Sequence, residues 1–238
     1  MSLKKVTISI IIPVYNEEDI INDSLRALKV HDVDNLNEVI VVDCKGNTNN
    51  AISEKNKSWN KVQLITTKAK GRALQMNVGA KHASGDVLLF LHADTKLPRN
   101  ALFKIVDLLR KTNCSAGAFD LSYDNPKLQY KITAWVASMR SRLTKTPYGD
   151  QAQFIYRKTF EEVFGFHPLP LFEDIDIFRR LKKQGHTVAI IREAISTSAR
   201  RYERCWFCTI TRNILITILY YVGIHPEKLA RMYNKKIR

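Results

Sequence analysis

The chain has 238 residues, 45% hydrophobic and 26% charged, the balance of a water-soluble globular protein able to bury one large core plus an appendage. Its formal net charge of +15 and pI near 9.7 call for an anionic partner: nucleic acid, an acidic membrane surface or phosphorylated small molecules. No block of Lys and Arg interleaved with aromatics occurs, nor any zinc-finger or RNA-binding signature, which removes nucleic acid from that set.

Residues 6–12, Val-Thr-Ile-Ser-Ile-Ile-Ile, read as a β-branched strand stopped by Pro13. Tyr15 follows at the strand-to-helix turn, where its ring can stack on a base. Asn16 stands where an N-cap is expected, and Glu17 and Glu18 suit the first turn of a helix carrying Ile20, Ile21, Leu25 and Leu28. Residues 38–42 form a second strand ending in Asp43, a polar turn enters a helix over 51–57, and residues 62–65 form a third strand. This alternation opens a doubly wound sheet, in which ligands bind beyond the carboxyl ends of the strands. Neither the Gly-x-Gly-x-x-Gly turn of dinucleotide folds nor a Walker-type lysine loop is present. Lys70 and Arg72 then make an anion-attracting corner at the start of a small-residue helix, or are simply solvated.

Residues 85–96 organise the rest. Gly85-Asp86 leads into five apolar residues, the pattern of a strand buried on both faces, and the run stops at His92-Ala93-Asp94. Asp94 either holds a hard divalent cation against a phosphate or begins a turn; Asp43, at a second strand end aimed at the same crevice, favours the first. Residues 98–111 form an amphipathic core helix with Leu102, Ile105, Val106 and Leu109. A strand over 114–121 and a helix over 128–143 follow, the latter with Trp135 read as core. A polar turn at Gly149-Asp150 leads into another strand, and Glu173 and Asp174 suit the N-terminus of a helix running to Gln184. Residues 187–191 make one more strand, after which Arg200 and Arg201 precede an apolar helical tail over 205–222 and a shorter basic one over 226–236. The tail must bury against the domain, a second subunit or a membrane surface, and it is flanked by Arg204, Arg212, Lys228, Arg231, Lys235 and Lys236.

Of the four cysteines, Cys205 and Cys208 form a Cys-x-x-Cys with no second pair or histidine at zinc-site spacing. Buried or partly buried thiols are expected there, and with isolated Cys44 and Cys114 a reducing, cytoplasmic setting. Residues 1–5 run straight into a strand without a signal-peptide pattern, and the longest apolar run, 214–224, is interrupted by Thr217 and Gly223 and too short to span a bilayer.

Pro13-Val14-Tyr15-Asn16-Glu17-Glu18, the strand ending at Asp43, Gly71-Arg72-Ala73 with Asn77 and Gly79, and Gly85-Asp86 ahead of Asp94 occur in an order that resembles the family 2 glycosyltransferases. The Gly-Arg-Ala-x-Gln-Met-Asn, Leu-Phe-Leu-His-Ala-Asp-Thr and Ser-Ala-Arg-Arg stretches resemble a small bacterial subfamily within it. The resemblance covers essentially the whole chain. It implies an α/β chain of GT-A fold, a doubly wound, mostly parallel central sheet flanked by helices over residues 1–204, with the helical tail over 205–238. It also implies inverting transfer of a sugar from a nucleotide-diphosphate sugar to an acceptor hydroxyl, on a small molecule or a lipid.

In that scheme Pro13, Tyr15, Glu17, Asp43, Arg72, Asn77, Arg200 and Arg201 hold the donor, and Asp94 binds Mg²⁺ or Mn²⁺. Asp150, Gln151 and Glu173 contact the sugar or acceptor, and Asp174 is the general base. The implied setting is cytoplasmic, with the inner face of the membrane or a homodimer through the tail as options. Two departures from the family pattern stand out. The usual Asp-Gly-Gly-Ser-x-Asp-Gly-Thr turn appears as Asp43-Cys44-Lys45-Gly46-Asn47-Thr48-Asn49-Asn50, losing its second Asp. The Asp-x-Asp metal motif appears as His92-Ala93-Asp94, and His92 reads as a hydrogen-bonding residue of the site rather than a metal ligand. The competing readings are a nucleotidyltransferase, whose Gly-rich basic N-terminal loop is absent, and a catalytically silent nucleotide-sugar-binding protein or membrane adaptor.

Overall fold

The β-branched runs of the N-terminal half become the centre of an eight-stranded sheet in a computed structural model, which describes residues 5–234, the side chain of Asn234 excepted. Lys235 and Lys236, named above as flanks of the tail, lie outside the described residues, as do residues 1–4. The strands are β1 (Ile8–Val14), β2 (Leu36–Asp43), β3 (Val62–Thr66), β4 (Val87–Phe90), β5 (Thr95–Lys96), β6 (Cys114–Tyr123), β7 (Phe154–Tyr156) and β8 (Thr187–Thr197). Their order across the sheet is β3-β2-β1-β4-β7-β6-β8-β5. The chain winds outward from β1 to β3 in parallel, then returns to lay β4 on the other side of β1. A crevice opens at the carboxyl ends where that reversal happens. Beyond β4 the sheet becomes mixed: β7 is antiparallel to β4 and β6, β6 and β8 are parallel, and β5 is antiparallel to β8.

The helices are α1 (Glu18–Leu28), α2 (Asn47–Ala51), α3 (Glu54–Lys57), α4 (Arg72–His82), α5 (Ala101–Lys111), α6 (Leu128–Thr144), α7 (Arg157–Glu162), α8 (Glu173–Lys183), α9 (Trp206–Tyr221) and α10 (Pro226–Asn234). Alternate side chains of β1 go to opposite layers. Ile10 and Ile12 pack with Leu25 of α1 and Leu102 of α5, while Ile11 joins Met76 of α4 and Phe178 of α8. At Gly79 a Cβ would stand 2.5 Å from Cγ2 of Ile11, so only glycine lets α4 lie this close to β1. That close approach sets Arg72, the first residue of α4, at the crevice.

Several expectations change. Pro13 lies inside β1 rather than ending it, opposite Val42 of β2. By alternation its missing N–H faces the β4 side, where β4 has already ended, so no ladder bond is lost. Asn16 does not cap α1: it adopts φ 52°, a conformation asparagine tolerates, and Glu17 occupies the capping position. The single helix expected over 51–57 is two short ones, separated by extended Ile52 and Ser53. Trp135 is not core but 65% exposed. The tail packs on the domain, where Ile216 and Leu229 bury against Phe172 and Ile175, and Tyr220 stacks on Phe172 at 4.4 Å.

Cys205 and Cys208 are joined in a disulfide, not free thiols, because one turn at the start of α9 brings their Cα atoms to 5.4 Å. The cysteine argument for a reducing compartment falls with it. No helix among the described residues is long and apolar enough to cross a membrane.

Candidate active site

The ends of β1, β2 and β4 meet at a cavity of about 270 Å³ lined by Pro13, Tyr15, Glu17, Lys70, Arg72, Gln75, His92, Asp94 and Arg201 among others. Gln75 of α4 fixes its floor: Nε2 donates to the carbonyls of Val14 (2.7 Å) and Val42 (2.8 Å), tying the ends of β1 and β2 together. Tyr15 stands exposed at the rim, with the amines of Lys45 and Lys70 at 4.9 and 5.8 Å from its ring centroid. An aromatic face between two cations is suited to a flat, anionic ligand.

Asp94 and Glu17 share one cation. Nη2 of Arg200 lies 3.0 Å from Oε2 of Glu17 and 3.4 Å from Oδ2 of Asp94. Those two carboxylates hold the Arg200 charge above its ordinary pKa, the hydrogen bond to Glu17 acting most. Arg72 reaches the other way: Nε is ion-paired with Glu173, and Nη1 lies 3.3 Å from Nε2 of His92. Burial, then the charges of Arg72 and Arg201, push the His92 pKa well down, so the ring is neutral and Nε2 accepts from the guanidinium.

A second wall, behind Arg72 and His92 and outside the cavity lining, comes from the turn at Gly149 and the start of α8. Phe172, at φ 66°, turns the loop so that Glu173 and Asp174 enter the first turn of α8 pointing inward. Asp174 is buried, with Oδ2 accepting from the Gly149 N–H (2.7 Å) and Oδ1 from the Ile175 N–H (2.8 Å). Burial, reinforced by the neighbouring Glu173 charge and opposed by Arg72, raises its pKa to about 6. A Cβ at Gly149 would lie 3.2 Å from Oδ2 of Asp174 and 3.3 Å from Nε2 of His92, so a side chain there would crowd both. Oδ1 of Asp150 is buried without a hydrogen-bond partner among the described residues. Burial raises the Asp150 pKa against the opposing pull of Arg201, Arg72 and Arg140.

The structure thus gathers Pro13, Tyr15, Glu17, Arg72, Asp94 and Arg201 around the cavity. Arg200 reaches it through Glu17 and Asp94, and the Asp150, Glu173 and Asp174 acids stand near Arg72. It turns three other expected site residues to structural work. Asp43 is fully buried, its two oxygens accepting from the N–H groups of Lys45 and Asn49 (both 3.0 Å), so it shapes the loop behind Tyr15 rather than lining the cavity. Asn77 exchanges two hydrogen bonds with the Phe166 backbone, at 2.7 and 2.9 Å. Gln151 is buried, donating to the Phe119 carbonyl (2.9 Å) and accepting from Ser141 Oγ (2.5 Å) and the Tyr148 N–H (3.0 Å).

As a test of metal fit, no group of three or more His, Cys, Asp or Glu among the described residues is placed to hold an ion. The neutral His92 spends Nε2 on Arg72, which leaves Asp94 as the carboxylate at the β4 end of the cavity. One carboxylate fits a hard cation whose remaining ligands are phosphate oxygens and water.

The family model described as glycosyl transferase family 2 matches residues 9–169. The chain belongs to that family. It is similar over 236 residues, at 24% identity, to EpsH of Bacillus subtilis (strain 168), which carries a glycosyltransferase name; the match covers 97% of this chain and 64% of that one. The chain therefore spans about two thirds of its curated relative's length. Among solved structures it is similar to S. aureus TarS 1–349 in complex with UDP-GlcNAc, with a TM-score of 0.65 and 18% identity over 81% of this chain and 58% of the other. A second structure of TarS 1–349 matches with TM-score 0.65 and 19% identity, over 90% of this chain and 66% of the other. These likenesses establish the GT-A-like α/β fold. Within this family 2 chain, Gln75 and Gly149 are site-building residues that the sequence offered only inside a longer motif and as part of a polar turn, with no role attached. A buried glutamine in a small-residue helix, and a glycine in a polar turn, carry no local signal of their own.

Proposed function

We propose that the chain transfers a sugar from a nucleoside-diphosphate sugar to an acceptor hydroxyl with inversion, Asp174 acting as general base. The observation that carries this reading is a cation-rich cavity backed, across Arg72 and His92, by a buried carboxylate whose pKa is raised to about 6. A base of that pKa is ionised at neutral pH yet retains proton affinity. The UDP-GlcNAc bound to TarS, a neighbour in fold, supports a nucleotide-sugar donor.

In this mechanism the Tyr15 ring stacks on the base, and Lys70, Arg72, Arg200 and Arg201 receive the diphosphate. Asp94 would hold a divalent cation together with the diphosphate oxygens, and that ion would supply Lewis-acid stabilisation of the leaving nucleotide. Asp150, with an acceptor oxygen to spare, takes a hydroxyl of the sugar or the acceptor. The acceptor oxygen forms its bond to the anomeric carbon as the bond to the diphosphate breaks. Its proton passes to Asp174, and the nucleoside diphosphate leaves with the bonding pair. One displacement inverts the centre. Gly149 contributes twice, by leaving room beside Asp174 and by orienting that carboxylate through its N–H.

The test is Asp174→Asn assayed against a panel of UDP-, GDP- and dTDP-sugars with Mn²⁺. Turnover should fall by roughly 10²–10⁴-fold, the usual worth of a general base, while calorimetric donor affinity stays within about twofold. Undiminished turnover would remove Asp174 from the role. Asp94→Ala should abolish the difference in donor affinity measured with and without Mn²⁺; a difference that persists places the cation elsewhere.

A further inference from the structure

Two neighbouring helices leave apolar faces uncovered. On α6, Leu128, Ile132, Trp135, Val136 and Leu143 recur at helical spacing along one stripe, and all are exposed, Leu143 by 78%. On α9, Thr209 and Ile216 turn inward, while Phe207, Ile214, Leu215 and Ile218, with Val222 just past the helix, line the opposite side in solvent. The two helices run side by side in the same sense. Trp206 Nε1 donates to Thr133 Oγ1 at 3.1 Å near their starts. Further along, Tyr148 joins them, its hydroxyl 3.1 Å from Thr217 Oγ1 and its ring under the Arg140 guanidinium at 3.6 Å. Exposed apolar side chains are ordinary when scattered, but aligned along two adjacent helices they mark a contact surface.

Charge indicates what covers it. Neither α6 nor α9 contains a single acidic residue. Lys127, Lys131, Arg204, Lys228 and Arg231 stand exposed around them, with Glu203 and Glu227 the acids that flank α9 in sequence. A second copy of a chain carrying net charge +15 would set this basic rim against itself. An anionic lipid surface complements it: the apolar stripes enter the headgroup–acyl boundary and the basic residues meet the headgroups. Trp135 and Tyr221 suit that boundary, where an amphipathic ring has both a dry and a wet neighbour. We propose that α6 and α9 form a docking surface for an anionic bilayer, lying in its interface. The proposal does not depend on the sugar-transfer chemistry.

The test uses the full chain in flotation assays with vesicles of phosphatidylcholine alone and of phosphatidylcholine mixed with phosphatidylglycerol. The chain should float with the mixed vesicles, far less with the neutral ones, and less again at high salt. The double variant Trp135→Glu/Ile218→Glu changes only exposed side chains, and its far-UV spectrum and melting temperature should match the parent. Its vesicle affinity should fall at least about tenfold, from the apolar burial lost on two large side chains. Lys131→Glu/Arg204→Glu should weaken binding to mixed vesicles while leaving the low binding to neutral ones unchanged. Failure of the parent chain to float with anionic vesicles would overturn the proposal, as would undiminished flotation of the Trp135→Glu/Ile218→Glu variant. Light scattering that shows a dimer abolished by the same double variant would assign the face to a second copy instead.

Discussion

The cavity wall and the buried wall behind it handle charge in opposite ways. The wall built by the ends of β1 and β4 and the start of α4 keeps charge within reach of the cavity: Tyr15 between two lysine amines, Glu17 and Asp94 sharing Arg200. The wall built by the Gly149 turn and α8 buries its acids, and burial is the largest cause raising the pKa of both Asp150 and Asp174. The first arrangement leaves charge available to an incoming diphosphate; the second stores proton affinity. Arg72 joins them, since it starts on the first wall and pairs with buried Glu173 on the second. Burial works against its charge, yet Glu173 and Asp174 hold its pKa above the usual value.

The largest effect should come from cutting that joint. Arg72→Ala leaves Glu173 buried without its cation, which should cost about 3 kcal/mol, measurable as a lowered urea midpoint at unchanged slope. Arg72→Lys restores the charge but not the second contact to His92, and should recover part of the loss. Unchanged stability in Arg72→Ala would mean that the walls stand independently.

How far the sequence disclosed each wall follows from the same contrast. The first wall lies mostly on strand ends, so short apolar runs and the residues that follow them pointed to Tyr15 and Asp94, and the basic start of the next helix to Arg72. What pattern could not separate was a polar side chain that binds a ligand from one that satisfies buried backbone. Asp43, Asn77 and Gln151 have the right chemistry for a site, yet each spends it on a loop or strand of its own chain. On α6 the usual rule inverts. Past Tyr130, its buried face carries Ala134, Ser138 and Ser141, small residues that let it lie close on β6, with Ser138 Oγ accepting from the Leu121 N–H at 2.9 Å. Its large apolar residues therefore point outward, which is why Trp135 reads as core and is not.

A smaller effect sharpens the first wall alone. Gln75→Ala removes both hydrogen bonds by which α4 holds the ends of β1 and β2 and strands the Val14 and Val42 carbonyls in a buried setting. A loss of about 2 kcal/mol is expected, with donor affinity weakened through the displaced Tyr15 turn and the pH profile unmoved. If the acid limb of the profile moved as well, the two walls would be electrostatically linked through the floor rather than through Arg72.

The finest test addresses the second wall's charge without disturbing its shape. With Asp174 as base, kcat/KM should rise with pH and level off above about 6, because the carboxylate must be unprotonated to accept. A folded-state pKa raised to that value also means that Asp174 favours folding only while it holds its proton. Its contribution is complete below the unfolded carboxylate pKa and is lost as pH rises through about 6. Glu173→Gln keeps the neighbour's volume but deletes the charge that, after burial, does most to raise Asp174. It also releases Arg72, whose charge already pulls the Asp174 pKa down. Both changes act in one direction, so the acid limb should move to lower pH by up to about one unit. At mildly acidic pH the variant should therefore keep a larger fraction of its own plateau than the parent keeps of its. A limb that stays at about 6 would assign the shift to burial alone, and one that moves upward would show that another group limits the rate.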